Sequence, residues 1–134
     1  MRYHEFIDRV RERANLEGRD DAIRITRATL ATLGEFIDKT ERSNLAAQIP
    51  NELKEFLYAE KPPLEEAGRP IDKPDLEEFY TRVIARADLD RRDIEPQAKA
   101  VIETLQEAVS SGEIKDVLHD LPGDYAELFR NPAE

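Results

Sequence analysis

The sequence predicts an all-α fold of about eight short-to-medium helices, arranged as two tandem four-helix repeats packed as one pseudo-twofold bundle. Three observations carry this expectation. Apolar residues recur at spacings of three and four and nowhere alternate with a period of two, which is the spacing of helices rather than strands. Helix formers such as Ala, Leu, Glu, Arg and Lys dominate the composition. The third observation is internal repetition. "EFIDRVRERANLE" from Glu5 matches "EFYTRVIARADLD" from Glu78 at Glu5/Glu78, Phe6/Phe79, Arg9/Arg82, Val10/Val83, Arg13/Arg86, Ala14/Ala87 and Leu16/Leu89.

The first repeat, residues 3–58, opens with Phe6, Ile7, Val10 and Ala14 on one face of a first helix. Ile23, Leu30, Leu33 and Ile37 mark a longer second helix, at intervals that suit 3.6 residues per turn. Leu45 and Ile49 belong to a short third helix, and Leu53, Phe56 and Leu57 to a fourth. The second repeat, residues 75–130, follows the same scheme. Its helices carry Leu76, Phe79, Val83 and Ala87; then Ala98, Ile102, Leu105 and Val109; then Ile114, Val117, Leu118 and Leu121; then Tyr125, Leu128 and Phe129. The offset between repeats is 73 at Phe6/Phe79 and becomes 72 after a one-residue slip near residues 17 to 22. Beyond the slip Ala28 meets Ala100, Leu33 meets Leu105, Glu41 meets Glu113 and Pro50 meets Pro122.

The punctuation agrees with these boundaries. Asp38 with Glu41, and Ser110 with Glu113, read as capping boxes, in which a side-chain acceptor and a reciprocal acid satisfy the first amides of each third helix. Pro50 and Pro122 fit the first turn of a fourth helix, where no intrahelical amide partner is lost. Pro96 fits the first turn of its helix, and Pro74 precedes Asp75 at the start of another. Between the repeats, residues 59–74 read "AEKPPLEEAGRPIDKP", a proline-rich linker that is partly extended. Its "KPP" is read as connector rather than as a ligand for a proline-binding module. A four-helix unit of about 55 residues buries little surface and is marginal alone. The two units are therefore expected to share one core, with residues 1–134 forming a single domain.

Thirty acidic against twenty basic residues give a formal charge of -10. Such a chain repels phosphate backbones and anionic lipid, so neither nucleic acid nor membrane is an expected partner. There is no cysteine, which excludes disulfides and thiolate metal sites and makes a cytoplasmic location the expectation. The opening "MRYHEFIDRVRERANLEG" is interrupted by charge every two or three residues, so no signal peptide is expected. No apolar run approaches the roughly 20 residues that cross a bilayer.

No catalytic residue, metal ligand or cofactor is expected from the sequence. His4 and His119 are not matched between repeats and have no His-x3-His spacing, so they read as surface or helix-end histidines. "ADLDRRDIE" gathers Asp88, Asp90, Asp93 and Glu95, but counting from Asp88 an EF-hand would need a ligand at Arg92 and glycine at Asp93. These acids, like Asp20 and Asp21, are better placed to cap and pre-charge a helix start. Paired carboxylates such as Glu65/Glu66 and Glu77/Glu78 follow from acidity alone. The serines at 43, 110 and 111 lack a nucleophile setting. The most pointed polar feature is the row Glu5-Arg9-Arg13 and its twin Glu78-Arg82-Arg86. The preferred reading is ordinary ion pairing four residues apart on a helix face. The alternative brings Arg9, Arg13, Arg82 and Arg86 together near the twofold axis to hold an anion or an acidic partner.

The "EFxxRV" that opens each repeat, the Ala/Leu-rich long helix, "AAQIPNEL" in one copy and "SGEIKDVLHDLP" in the other resemble the prokaryotic domain of unknown function 2267 family. The likeness runs from about Arg2 to Arg130. It implies an all-helical fold and a bacterial or archaeal source, with no activity, cofactor or catalytic residue to carry over. The functional expectation is a non-catalytic module that binds protein, either another chain or itself as a homo-oligomer, through apolar helix ends at Phe56, Tyr58, Tyr125 and Phe129. The alternative is a sensor or carrier for a small apolar ligand held in a pocket between the repeats.

Overall fold

Helix α1 (Tyr3–Arg13) forms where Phe6, Ile7 and Val10 share one buried face, and α2 (Arg19–Phe36) where buried positions spread almost all the way round the helix. Helices α3 (Lys39–Ala46), α4 (Asn51–Leu57), α5 (Leu76–Ala87), α6 (Ile94–Ala108) and α7 (Ser111–His119) follow. Short 3-10 turns occupy Arg91–Asp93 and Gly123–Glu127. A computed structural model describes residues 1–60 and 74–129, and among them every regular element is helical. Most of the predicted linker, residues 61–73, and Arg130 at the end of the second repeat lie outside the described residues.

Local chemistry sets the ends of these helices. Asp38 Oδ1 accepts from the Glu41 amide at 2.9 Å, Asp75 Oδ1 from Glu78 at 3.0 Å, and Ser110 Oγ from Glu113 at 3.2 Å. Each satisfies an amide that the first helical turn leaves without a partner. At the other end, α1 and α5 close in the same manner. Asn15 and Asp88 both take the left-handed conformation at φ 55°, and the Leu16 and Leu89 amides reach back to Arg11 O and Ile84 O. This six-to-one closure favours residues whose short polar side chains tolerate positive φ.

The expected capping boxes form in half. The backbone N–H of Asp38 donates not to Glu41 but to Asp120 Oδ2 across the molecule, and that of Ser110 donates to Gln48 Oε1 at 2.8 Å. The fourth helix of the second repeat is also shorter and tighter than expected. Its segment is the 3-10 turn Gly123–Glu127, in which Tyr125 N bonds Pro122 O and Leu128 N bonds Tyr125 O. Gly123 lowers helix propensity there, and a 3-10 turn suits a run this short. Pro50 and Pro122 stand one position earlier than expected, as the capping residues of α4 and of that turn.

Helix α2 is the hub, packing against α1, α4, α5 and α6, while α1 packs on α6 and α3 on α7. One continuous apolar cluster joins both halves, from Phe6, Leu30 and Leu57 to Phe79, Ile102 and Tyr125. Gly34 makes the α2–α4 approach possible: a Cβ there would stand 1.9 Å from the Leu57 carbonyl oxygen.

Candidate functional site

The arginine rows do more than pair along their own helices. Arg13 donates to Thr104 Oγ1 at 3.0 Å and to Glu107 Oε2 at 2.6 Å, and Arg9 to Glu107 Oε1 at 3.0 Å. In the opposite direction Arg86 donates to Thr32 Oγ1 and Glu35 Oε1, both at 2.8 Å, and Arg82 contacts Glu35 Oε2 at 3.0 Å. Thr32 and Thr104, like Glu35 and Glu107, stand 72 residues apart, so matched residues exchange matched partners. The same-helix contacts are longer, Arg9 to Glu5 at 4.0 Å and Arg82 to Glu78 at 3.4 Å. Each threonine hydroxyl accepts from its arginine while donating to Ala28 O or Ala100 O at 2.8 Å.

The two clamps differ in depth. The Glu35 side chain is 8% exposed and that of Glu107 40%. The bonds from Arg13, then from Arg9, hold the Glu107 carboxyl below its usual range. All four guanidiniums are engaged within the chain, each with a carboxylate carried on the long helix of the other half.

The α3–α7 contact brings a second set of charges together. Glu41, near the start of α3, meets Glu113 and Asp116 of α7, with one carboxylate oxygen from each lying within 4.8 Å of the other two. Because Asp120 and Gln48 take the amides that a full capping box would use, the Glu41 and Glu113 side chains are left to face each other. Glu113 is 7% exposed. Neither Glu41 Oε2 nor Glu113 Oε2 receives a hydrogen bond in the described structure. Burial, then the facing Glu41, push the Glu113 carboxyl up to about 7, with Asp116 adding to the rise.

The expected aromatic contact surface requires correction. Phe56, Tyr125 and Phe129 are buried, because α4 and the C-terminal turn fold their apolar sides into the shared core. Tyr125 has a structural role: its ring lies edge-on to Phe79 at 5.6 Å, and its hydroxyl donates to Pro74 O at 2.9 Å. Burial, then Asp124 and Asp75, raise its pKa. Tyr58 alone of the four is open, at 49% exposure, with the buried Arg42 guanidinium 5.5 Å from its ring centre. Nearby on α4, Phe56 lies beneath Arg27 at 5.4 Å and edge-on to Tyr3 at 6.2 Å.

Two open clefts lie on the surface of the described residues. One of about 190 Å³ lies between the halves, lined by Leu16, Ile25, Ala87 and Leu89 with Asp21, Arg24 and Gln97. The other, of about 290 Å³, is bordered by Glu77, Tyr80 and Pro96. Burial, then Glu95, push the Tyr80 hydroxyl up to about 12.

Sequence reasoning missed Thr32, Thr104, Glu35 and Glu107, although the offset of 72 makes them identities on the long helix of each repeat. A polar identity on an otherwise apolar helix was the available signal. No helix among the described residues is long and apolar enough to cross a membrane. No curated protein matches the chain. The family model that does match, described as an uncharacterized conserved protein (DUF2267), spans residues 3–128, and the chain belongs to that family.

Proposed function

We propose that this chain is a non-catalytic helical module of a prokaryotic cytoplasm that acts by binding protein, with its two repeats closed on each other about a pseudo-twofold axis. The observation that carries the reading is Tyr58, held half-exposed at the end of α4 over a buried guanidinium. A ring already held in place loses little conformational freedom on contact, and tyrosine is among the side chains that dominate interface energetics. The net charge of -10 favours a partner with basic residues around an apolar socket, and disfavours nucleic acid and anionic lipid.

The test is affinity capture from the native host together with light scattering of the pure protein, each repeated with Tyr58→Ala. A partner or dimer lost on substitution, with the melting midpoint moved by less than about 2 °C, supports the reading. A monomer with no partner, or binding indifferent to Tyr58, overturns it.

A second reading rests on the 190 Å³ cleft between the halves, whose Leu16, Ile25, Ala87 and Leu89 walls suit a small apolar ligand. It lies below the roughly 300–1,000 Å³ of ordinary small-molecule pockets, which restricts it to short aliphatic or single-ring compounds. A thermal-shift screen of such compounds without a hit removes it.

A further inference from the structure

We propose that Glu41, Glu113 and Asp116 form a site for a hard divalent cation, calcium or manganese, that joins α3 of the first repeat to α7 of the second. Two observations carry this. The first is geometric. Three carboxylate oxygens, one from each residue, stand within 4.8 Å of one another. Oxygens around a calcium ion lie about 2.4 Å from the metal, so opposite ligands are about 4.8 Å apart and adjacent ones closer. The three atoms therefore fit one coordination sphere without rearrangement of either helix.

The second observation is an orphaned, deeply buried acceptor. Glu113 is 7% exposed and faces Glu41 and Asp116, yet its Oε2 receives no hydrogen bond, and Glu41 Oε2 is likewise covered and unpartnered. Ionised carboxylate oxygens can only accept, so two of them facing each other under cover are satisfied by a shared proton or by a cation between them, and an added cation competes for that place. The donor set is oxygen alone, which selects a hard cation over zinc or copper. Asp116 is exposed, giving the ion an entry path and room to keep waters. Since Glu41 and Glu113 stand 72 residues apart, at matched places in the two repeats, the ion would tie the halves together at a contact each half builds from the same helix.

The test uses the full chain stripped with chelator and then dialysed free of it. Calcium chloride, manganese chloride and magnesium chloride are added separately, and binding is followed by titration calorimetry and by the melting midpoint. The expected result is a single site for calcium or manganese. At ten times its dissociation constant the ion raises the midpoint by about 5 °C. Glu113→Gln and Glu41→Gln, each helical by circular dichroism, weaken the ion at least tenfold, while Glu12→Gln, at an exposed position of α1, leaves it unchanged. No shift with any of the three cations overturns the proposal. So does a cation response that survives both glutamine variants.

Discussion

The two arginine clamps use the same residues at different depths, which makes the molecule its own control. Glu35→Ala would leave Arg86 and Arg82, 23% and 36% exposed, without their shared carboxylate in a place where that carboxylate is 8% exposed. Breaking a fully buried pair costs about 3–5 kcal/mol, and partial access of water to the guanidiniums reduces this to about 2–3 kcal/mol. Glu107→Ala removes the matched carboxylate at a site 40% exposed, where an ion pair contributes about 0.5–1 kcal/mol. Unfolding entropy scaled to this chain length converts 1 kcal/mol into about 3–4 °C. Glu35→Ala is thus expected to lower the melting midpoint by about 9 °C and Glu107→Ala by about 3 °C. Thermal and urea unfolding followed by circular dichroism measure both. Equal losses, or a larger loss at Glu107, would refute the argument that depth of burial grades the two clamps.

Gly34→Ala is expected to cost about 1–3 kcal/mol, because the new methyl meets the Leu57 carbonyl and must push α4 away from α2. Urea unfolding checks this, and an unchanged midpoint would contradict the close approach. Thr29→Val is expected to be neutral or to stabilise by about 1 kcal/mol, since the Thr29 hydroxyl is buried without a hydrogen bond and the matched residue of the second half is Val101. A loss above about 1 kcal/mol would mean that the hydroxyl has a partner. The Glu113 carboxyl predicts a pH dependence in metal-free buffer. Its folded pKa, about 7, lies above its ordinary value of 4.5, so the folded state holds the extra proton between them. Stability from this group is complete below pH 4.5 and is lost as the pH rises through about 7, at no more than about 1.4 kcal/mol per pH unit. Glu113→Gln should flatten the stability profile between pH 5 and 8, and a profile unchanged by that substitution would remove the assignment.

The helices were legible because burial and period coincide. Phe6, Val10, Phe79 and Val83 recur at helical spacing and are all fully buried. The caps at Asp38 and Ser110 were legible for the same local reason, as a side-chain oxygen three residues before an amide needs no tertiary information. What sequence could not supply is whatever depends on contacts across 50 to 100 residues. Arg9 looks like a partner of Glu5 four residues away until α1 packs on α6 and presents Glu107 at shorter range to both Arg9 and Arg13. Phe56 and Phe129 look like exposed ends because a short amphipathic segment does not reveal which side a distant helix will cover. Glu41 and Glu113 read as reciprocal capping acids, and only the rival acceptors Asp120 and Gln48, which take the Asp38 and Ser110 amides, turn them toward each other.

The central claim is that the two repeats are one folding unit with a shared interior, fastened by bonds exchanged between matched positions. Native-state hydrogen exchange across a series of low urea concentrations tests it most directly, by comparing the slowest amides of α2 with those of α6. The account predicts that both helices open only with global unfolding, at one common free energy. Separate opening of residues 1–58 and 75–129 at different free energies would contradict it.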